Sequence, residues 1–373
     1  MVKSHSKQDF LPELNGLRGF SMLLVMTFHA GVPYMHGTFV SVDLFFALSG
    51  FLITTSLLQA FDRTGTINLK HFYIRRALRL IPALVVMLAI FCLVSFFAFS
   101  KGKAIYNYVD SLIALFYLSN WARAFSIHPS LHLGHTWSLS VEEQFYFIWP
   151  VTILFLLRKP LSRRSILIAA VIIALLSWFT RAYLSMNDAS VMRLYNGLDT
   201  RLDSLMAGAS VGILLSAGML SADARERLGK WLVFITPIAA AGLVAFCHYG
   251  NWMARWMYNY GFASVELMSA LLILGIVLNP QSLITRFFRM RWLVWVGTTS
   301  YGTYLWHWPI YQAMFAAGFD RVTVITAGSL LTFGAAALSY YLIEKPALRL
   351  KRHFSIETPP RTAQTPGLSG TVS

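Results

Sequence analysis

Residues 80–99 read Leu80-Ile-Pro-Ala-Leu-Val-Val-Met-Leu-Ala-Ile-Phe-Cys92-Leu-Val-Ser-Phe-Phe-Ala-Phe99, without one charged side chain. A lipid-spanning helix needs about 20 predominantly apolar residues, because at membrane depth the backbone must satisfy its own polar groups. This run meets that length by itself. Working outward, similar segments recur at 14–33, 39–60, 139–157, 166–184, 198–217, 231–248, 262–279, 293–317 and 322–343. Composition agrees: 56% of the 373 residues are hydrophobic and 13% charged, with mean hydropathy +0.57. Soluble domains carry about 25% charged residues, so a disordered chain, a collagen-like fibre and an ordinary cytosolic enzyme are excluded. The sequence predicts an all-α integral membrane protein, a bundle of about ten transmembrane helices.

The net charge of +15 falls in short clusters between apolar runs. That distribution orients helices and faces anionic headgroups; it does not make a nucleic-acid surface. If the segment 100–138 does not fully cross, the clusters around Arg63–Arg79, Arg158–Arg164, Arg225–Lys230, Arg286–Arg291 and Arg349–Arg352 share one side with Lys3 and Lys7. The positive-inside rule makes that side cytoplasmic, with both termini there. Segment 100–138 is then an outer-side or re-entrant piece that protein must cover. Cys92 and Cys247 both lie in apolar runs, which argues against a structural disulfide. No small-residue cleavage site follows the first apolar run, so it reads as a retained span. Residues 1–353 form the membrane domain, and the Thr-, Pro- and Ser-rich tail 354–373 reads as disordered and cytoplasmic.

Ionisable groups are expensive at membrane depth, so each marks a candidate site. Arg18 and His29 are eleven residues apart, within about 20° of one helix face and about 16 Å along its axis. A neutral imidazole can take a proton from a hydroxyl; the structural alternative is a histidine satisfied within the bundle. Arg75, Arg76 and Arg79 fall within five residues, with Arg75 and Arg79 one helical turn apart. Guanidinium forks suit phosphate oxygens, although such clusters also serve only as topology signals. Ser140 and Glu143 match a capping box, which leaves Glu142 without a structural explanation. His307 lies midway along a span between Trp306 and Trp308. Asp199, Arg201 and Asp203 read as an internal salt-bridged set. His128, His132 and His135 lack a carboxylate or cysteine at ligand spacing, so no metal is expected.

Taken in order, these motifs resemble the acyltransferase 3 family of integral membrane proteins. They are Leu14-Asn-Gly-Leu-Arg18-Gly with His29, Val42-Asp43-Leu-Phe-Phe-Ala-Leu-Ser49-Gly50, Phe72-Tyr-Ile-Arg75-Arg76-Ala-Leu-Arg79, Trp137-Ser-Leu-Ser-Val-Glu142-Glu143, Ser300-Tyr-Gly-Thr-Tyr-Leu-Trp-His307-Trp-Pro and Glu344-Lys-Pro346. The resemblance runs from Leu14 to about Pro346. It implies a multi-pass enzyme of the inner (plasma) membrane that moves an acyl group, commonly acetyl from acetyl-CoA, to a carbohydrate hydroxyl. Acceptors would be lipid-linked or cell-surface glycans such as O-antigen, exopolysaccharide or peptidoglycan. No tightly bound cofactor is implied, since the acyl-CoA is a substrate.

By position, His29 is the implied catalytic residue with Arg18, and Glu142 the acidic residue that orients its imidazole. Arg75, Arg76 and Arg79 match the basic donor motif, and Asp43, Tyr301 and His307 stand as candidate substrate contacts. Some members carry a C-terminal esterase-like domain; its absence from this sequence implies a stand-alone enzyme or a separate periplasmic partner. Two other classes fit buried His, Arg and Glu: a transporter or proton relay using His29 and Glu142, and a glycosyltransferase using a lipid-linked sugar. No internal repeat favours the first, and scarce outer acidic pairs disfavour the second.

Overall fold

The computed structural model describes residues 11–350, and among them every regular element is helical. Lys3, Lys7, the chain termini and the tail 354–373 lie outside the described residues. In chain order the elements are α1 (Pro12–His29), α2 (Ser41–Thr64), α3 (Leu69–Ala98), α4 (Lys101–Leu115), α5 (Ser119–Ala124), α6 (Thr136–Arg158), α7 (Arg163–Met186) and α8 (Val191–Asn196). There follow α9 (Leu202–Leu214), α10 (Ala222–Tyr249), α11 (Phe262–Leu278), α12 (Leu283–Phe288), α13 (Arg291–Thr298), α14 (Ser300–Ala316) and α15 (Arg321–Leu350), the last carrying two π turns.

Every one of the ten expected segments coincides with helix, yet six stretches are long and apolar enough to cross a membrane. These are Thr38–Thr64, Leu69–Ala98, Arg163–Met186, Ala222–Tyr249, Met257–Leu278 and Arg321–Leu350. The other four are limited in length or polarity. α1 has 18 residues and carries Glu13 and Arg18, α6 carries Glu142 and Glu143, and α9 has 13 residues. The expected span 293–317 breaks at Thr299 into α13 and α14. Large apolar side chains such as Phe97, Phe147, Phe179, Phe234 and Leu342 stand exposed on the outside of the bundle, as a lipid-facing surface requires.

Helices already in lipid gain little from apolar burial, so close association depends on small residues that let backbones touch. A Cβ on Gly208 would lie 1.6 Å from the Ala47 carbonyl oxygen, and one on Gly50 would lie 1.9 Å from that of Leu205. α2 and α9 therefore run in parallel, backbone against backbone. α1 meets α12 and α13 in the same way, through Gly16 against the Phe288 carbonyl and Gly297 against that of Asn15. The glycines beside Arg18 and Ser49 are thus packing residues that fix the polar groups next to them.

Segment 100–138 forms a hairpin. α4 runs back along α3, with Asn107 Nδ2 donating to Ser95 Oγ (3.1 Å) and Cys92 Sγ to Ser111 Oγ (3.3 Å). At about 22 Å it is too short to cross a core of about 30 Å. The chain reverses at Tyr117 (φ 54°) and returns until the Asp110 carboxylate lies 2.8 Å from His128 Nε2 and accepts from Ser130 Oγ (2.9 Å). Entry and exit therefore lie together. At the tip the Tyr117 carbonyl accepts from Gln144 Nε2 (2.8 Å), and the Gln144 and Asn120 amides pair with each other. Gln144 on α6 thus supplies the cover that non-helical backbone needs at membrane depth.

Ends of helices are also tied to one another. Arg163 pairs with Asp62, joining the basic intervals after α2 and α6, and Glu13 accepts from Arg289 Nε and Nη2 (3.0 and 3.1 Å). At the opposite end Gly37 N donates to Cys247 O (3.0 Å).

Candidate active site

α1 carries Arg18 at mid-length and His29 at its last position, and its packing on α13 sets the start of α14 beside it. α14 then presents His307, which is fully buried, to His29. The two nitrogens His29 Nδ1 and His307 Nε2 are 2.8 Å apart, and the rings stack at 5.0 Å between centroids. Their tautomers follow from one further contact. His307 Nδ1 lies 2.7 Å from the Tyr304 carbonyl oxygen, and a carbonyl only accepts. With both rings neutral, His307 carries its proton on Nδ1, so its Nε2 accepts and His29 donates from Nδ1. The lone pair of His29 is left on Nε2, which has no hydrogen-bond partner among the described residues. That is the state a general base or a nucleophile requires.

Glu142 does not make the hydrogen bond to His29 that was expected of it; His307 occupies that place. Glu142 Oε1 instead accepts from Ser49 Oγ and, at 3.4 Å, from the Tyr146 hydroxyl. Between the Glu142 level and the histidine level lies a narrow gap of about 20 Å³, walled by Met22, Val25, Val42 and Phe45 with Glu142 and Tyr304 on its border. The capping-box reading of Ser140 and Glu143 is also corrected. α6 starts at Thr136, one turn earlier than the motif suggests, so Ser140 donates to the Thr136 carbonyl (3.1 Å) inside the helix. Glu143 accepts from Arg76 Nε and Nη2 (3.2 and 3.1 Å).

The arginines divide into two kinds. Arg76 is committed to Glu143 and stacks 3.6 Å over the Tyr146 ring. It also borders a cavity of about 330 Å³, together with Tyr73, Tyr117, Glu143, Gln144 and Tyr146. Arg18 packs over Phe45, and neither it nor Arg75 or Arg79 forms an ion pair among the described residues. Arg18 and Arg79 are close enough to act electrostatically on each other and on Arg76. Glu142 lies near Arg18 and Glu344 near Arg79, yet neither guanidinium is engaged in an ion pair among these residues, which leaves its N–H groups able to meet an anion.

Asp43 and Tyr301 serve packing. Asp43 is fully buried, paired with Arg201 and accepting from Ser204 (2.7 Å). Tyr301 donates to the Leu80 carbonyl (2.9 Å), fastening α14 to α3. The Asp199–Arg201–Asp203 set does not pair internally as the sequence suggested, because a helix start separates its members. Asp199 meets Arg193, Arg201 meets Asp43, and Asp203 meets Arg181 (2.6 Å), which also reaches Glu266 (3.3 Å).

The three clustered histidines diverge: His128 pairs with Asp110, and His132 lies against Phe91 and Phe99. His135 alone reaches the site, its ring 5.5 Å from that of His307. Sequence reasoning weighed it only as a metal ligand, although it precedes Glu142 by seven residues, two helical turns on one face.

Residues 11–344 match the family model described as Acyltransferase domain. The O-acetyltransferase OatA of Staphylococcus aureus is 34% identical over 351 residues, covering 90% of this chain and 57% of that protein. The peptidoglycan O-acetyltransferase OatA of Listeria monocytogenes is 32% identical over 357 residues, covering 91% of this chain and 56% of the relative. The chain thus spans little more than half the length of these relatives. No solved structure matches it. With a family match that takes in five of the six membrane-length helices whole and most of the sixth, together with Arg18, His29, Arg75, Arg76, Arg79, Glu142 and His307, the chain belongs to the acyltransferase 3 family.

Proposed function

We propose that the protein is an O-acetyltransferase of the inner (plasma) membrane, moving an acetyl group from an acyl-CoA on the cytoplasmic side to a hydroxyl of a cell-surface glycan. The observation that carries this reading is the His29–His307 pair, whose tautomers leave His29 Nε2 free at the far end of the helix that bears Arg18. The charged part of the donor would rest against Arg18, Arg75 and Arg79, with Arg76 held ready by Glu143. Its uncharged arm would pass the gap between Glu142 and Tyr304, so the thioester arrives beside His29. His29 Nε2 then takes the proton of the acceptor hydroxyl as its oxygen attacks the thioester carbon, or itself takes the acyl group first. The proton held by the imidazole ends on the departing thiol. His307 positions and polarises His29 throughout. For the acceptor, the similarity to the peptidoglycan O-acetyltransferase of Listeria monocytogenes favours peptidoglycan within the wider class of cell-surface glycans.

The test follows free thiol release from acetyl-CoA by the purified protein in nanodiscs, with and without glycan acceptors. General base help is worth about 10²–10⁴ in rate, so His29→Ala should lose turnover by that factor while still binding donor. Arg79→Ala should mainly raise the donor KM. Acetyl-CoA left intact and unbound at micromolar protein would overturn the reading; solute flux in vesicles lacking donor would then favour a transporter.

A further inference from the structure

Three polar atoms beside the histidine pair are buried without a partner. Neither ring nitrogen of His135 makes a well-formed hydrogen bond, although the residue is 2% exposed and the Leu305 carbonyl lies near its ring, and the indole N–H of Trp308 has no partner. An unsatisfied buried polar group costs about 1–3 kcal/mol, so three in one place call for a ligand that completes them. Both rings border the histidine pair. The Trp308 ring stands edge-on to His29 at 4.4 Å, and the His135 ring lies 5.5 Å from His307 and 6.5 Å from Trp308. His135 is held from behind: the Tyr304 hydroxyl, itself 2.5 Å from Ser138 Oγ, donates to the His135 carbonyl (2.8 Å). Its backbone is therefore fixed beside the pair.

A neutral imidazole offers one N–H in either tautomer, and an indole offers one. Acyl transfer needs two such donors for the oxygen that becomes negative in the tetrahedral intermediate. We propose that Trp308 Nε1–H and an N–H of His135 form the oxyanion hole for the transferred acyl group, an assignment that rests on the acyl-transfer reading. As the hydroxyl oxygen bonds to the carbonyl carbon and His29 Nε2 takes its proton, the C=O electron pair moves onto oxygen between these donors. Collapse re-forms C=O, breaks the C–S bond and returns the proton from His29 to sulfur. If His29 is acylated first, the same oxygen passes through the same hole twice.

The same helix provides a control. The Trp306 indole N–H is also buried and unpartnered, but this residue packs against the apolar cluster of Leu84, Met87 and Leu305, away from His29. The experiment measures thiol release from acetyl-CoA by Trp308→Phe, His135→Phe, His135→Gln and Trp306→Phe proteins in nanodiscs. Removing one oxyanion donor lowers kcat by about 10²–10³, so Trp308→Phe and His135→Phe should do so with donor KM unchanged. His135→Gln, which keeps an N–H, should recover part of the loss, and Trp306→Phe should match the parent. Affinity for a phosphonate analogue of the acyl group should fall in step with kcat, while affinity for CoA does not. A kcat within three-fold of the parent for Trp308→Phe, or equal losses in Trp306→Phe and Trp308→Phe, would overturn the assignment and leave the acyl-transfer reading standing. A parent protein that releases no thiol with any acceptor would overturn both.

Discussion

His307 reaches no solvent, and its single free nitrogen is used on His29. Its role is to fix which nitrogen of His29 carries the proton. His307→Phe removes the acceptor and lets His29 adopt either tautomer, whereas His307→Gln places a carbonyl oxygen near the lost Nε2. Second partners of this kind typically matter by about 10–100-fold, so kcat should fall by that much in the Phe variant, with donor KM unchanged, and largely return in the Gln variant. Equal kcat in all three proteins would show that the pair does not set the tautomer. At this scale the sequence was informative about residue type but silent about partners. The cost of burying His29 and Glu142 singled them out, yet spacing along one helix cannot reveal that the imidazole's neighbour lies 278 positions away. His135 stayed hidden because a histidine at a helix start has several ordinary uses.

Among the elements, the contact of α2 with α9 is the least forgiving. The Cβ of a Gly208→Ala protein would meet the Ala47 carbonyl at 1.6 Å, and backbone cannot swing aside as a side chain can. Overpacking of this sort costs about 1–3 kcal/mol, and the Asp43–Arg201 pair beside it would be disturbed as well. Gly334 in α15 has nothing within 4 Å of its Cβ position, so Gly334→Ala should be neutral or stabilise by up to about 1 kcal/mol. Thermal unfolding in detergent compares the two; a Gly208→Ala protein as stable as Gly334→Ala would mean the helices can part freely. Apolar runs made the helices legible, but α3 and α10 begin eleven and nine residues before the apolar runs that announced them, because their first turns are basic and polar. The breaks were less so. Thr299 divides one apolar stretch, and the α4–α5 reversal depends on an amide from α6 that no local pattern announces.

For the whole molecule, the pairing of Asp62 with Arg163 places two basic intervals at one end of the bundle, and the hairpin mouth near Ile127 lies at the other. By the positive-inside rule the first end is expected on the cytoplasmic side. In a protein with Cys92 and Cys247 replaced, Lys159→Cys should react with an impermeant maleimide only from the cytoplasmic face, and Ile127→Cys only from the outside. The reverse labelling would invert the direction of transfer. Charge counting gives the intervals an expected side because loops are short, but it could not tell that six helices meet the length and apolarity of a span while His29, Glu142 and His307 are carried by the others.

The narrow gap between Arg18 and His29 has an electrical consequence under this reading. Only the uncharged end of the donor enters it, so an acyl cation equivalent moves outward while the proton taken from the acceptor moves inward to sulfur. The two displacements cancel, and the reaction is an electroneutral exchange driven by the thioester alone. A membrane potential worth about 2.3 kcal/mol per charge per 100 mV would leave its equilibrium unmoved, in a collapsed membrane as in an energised one.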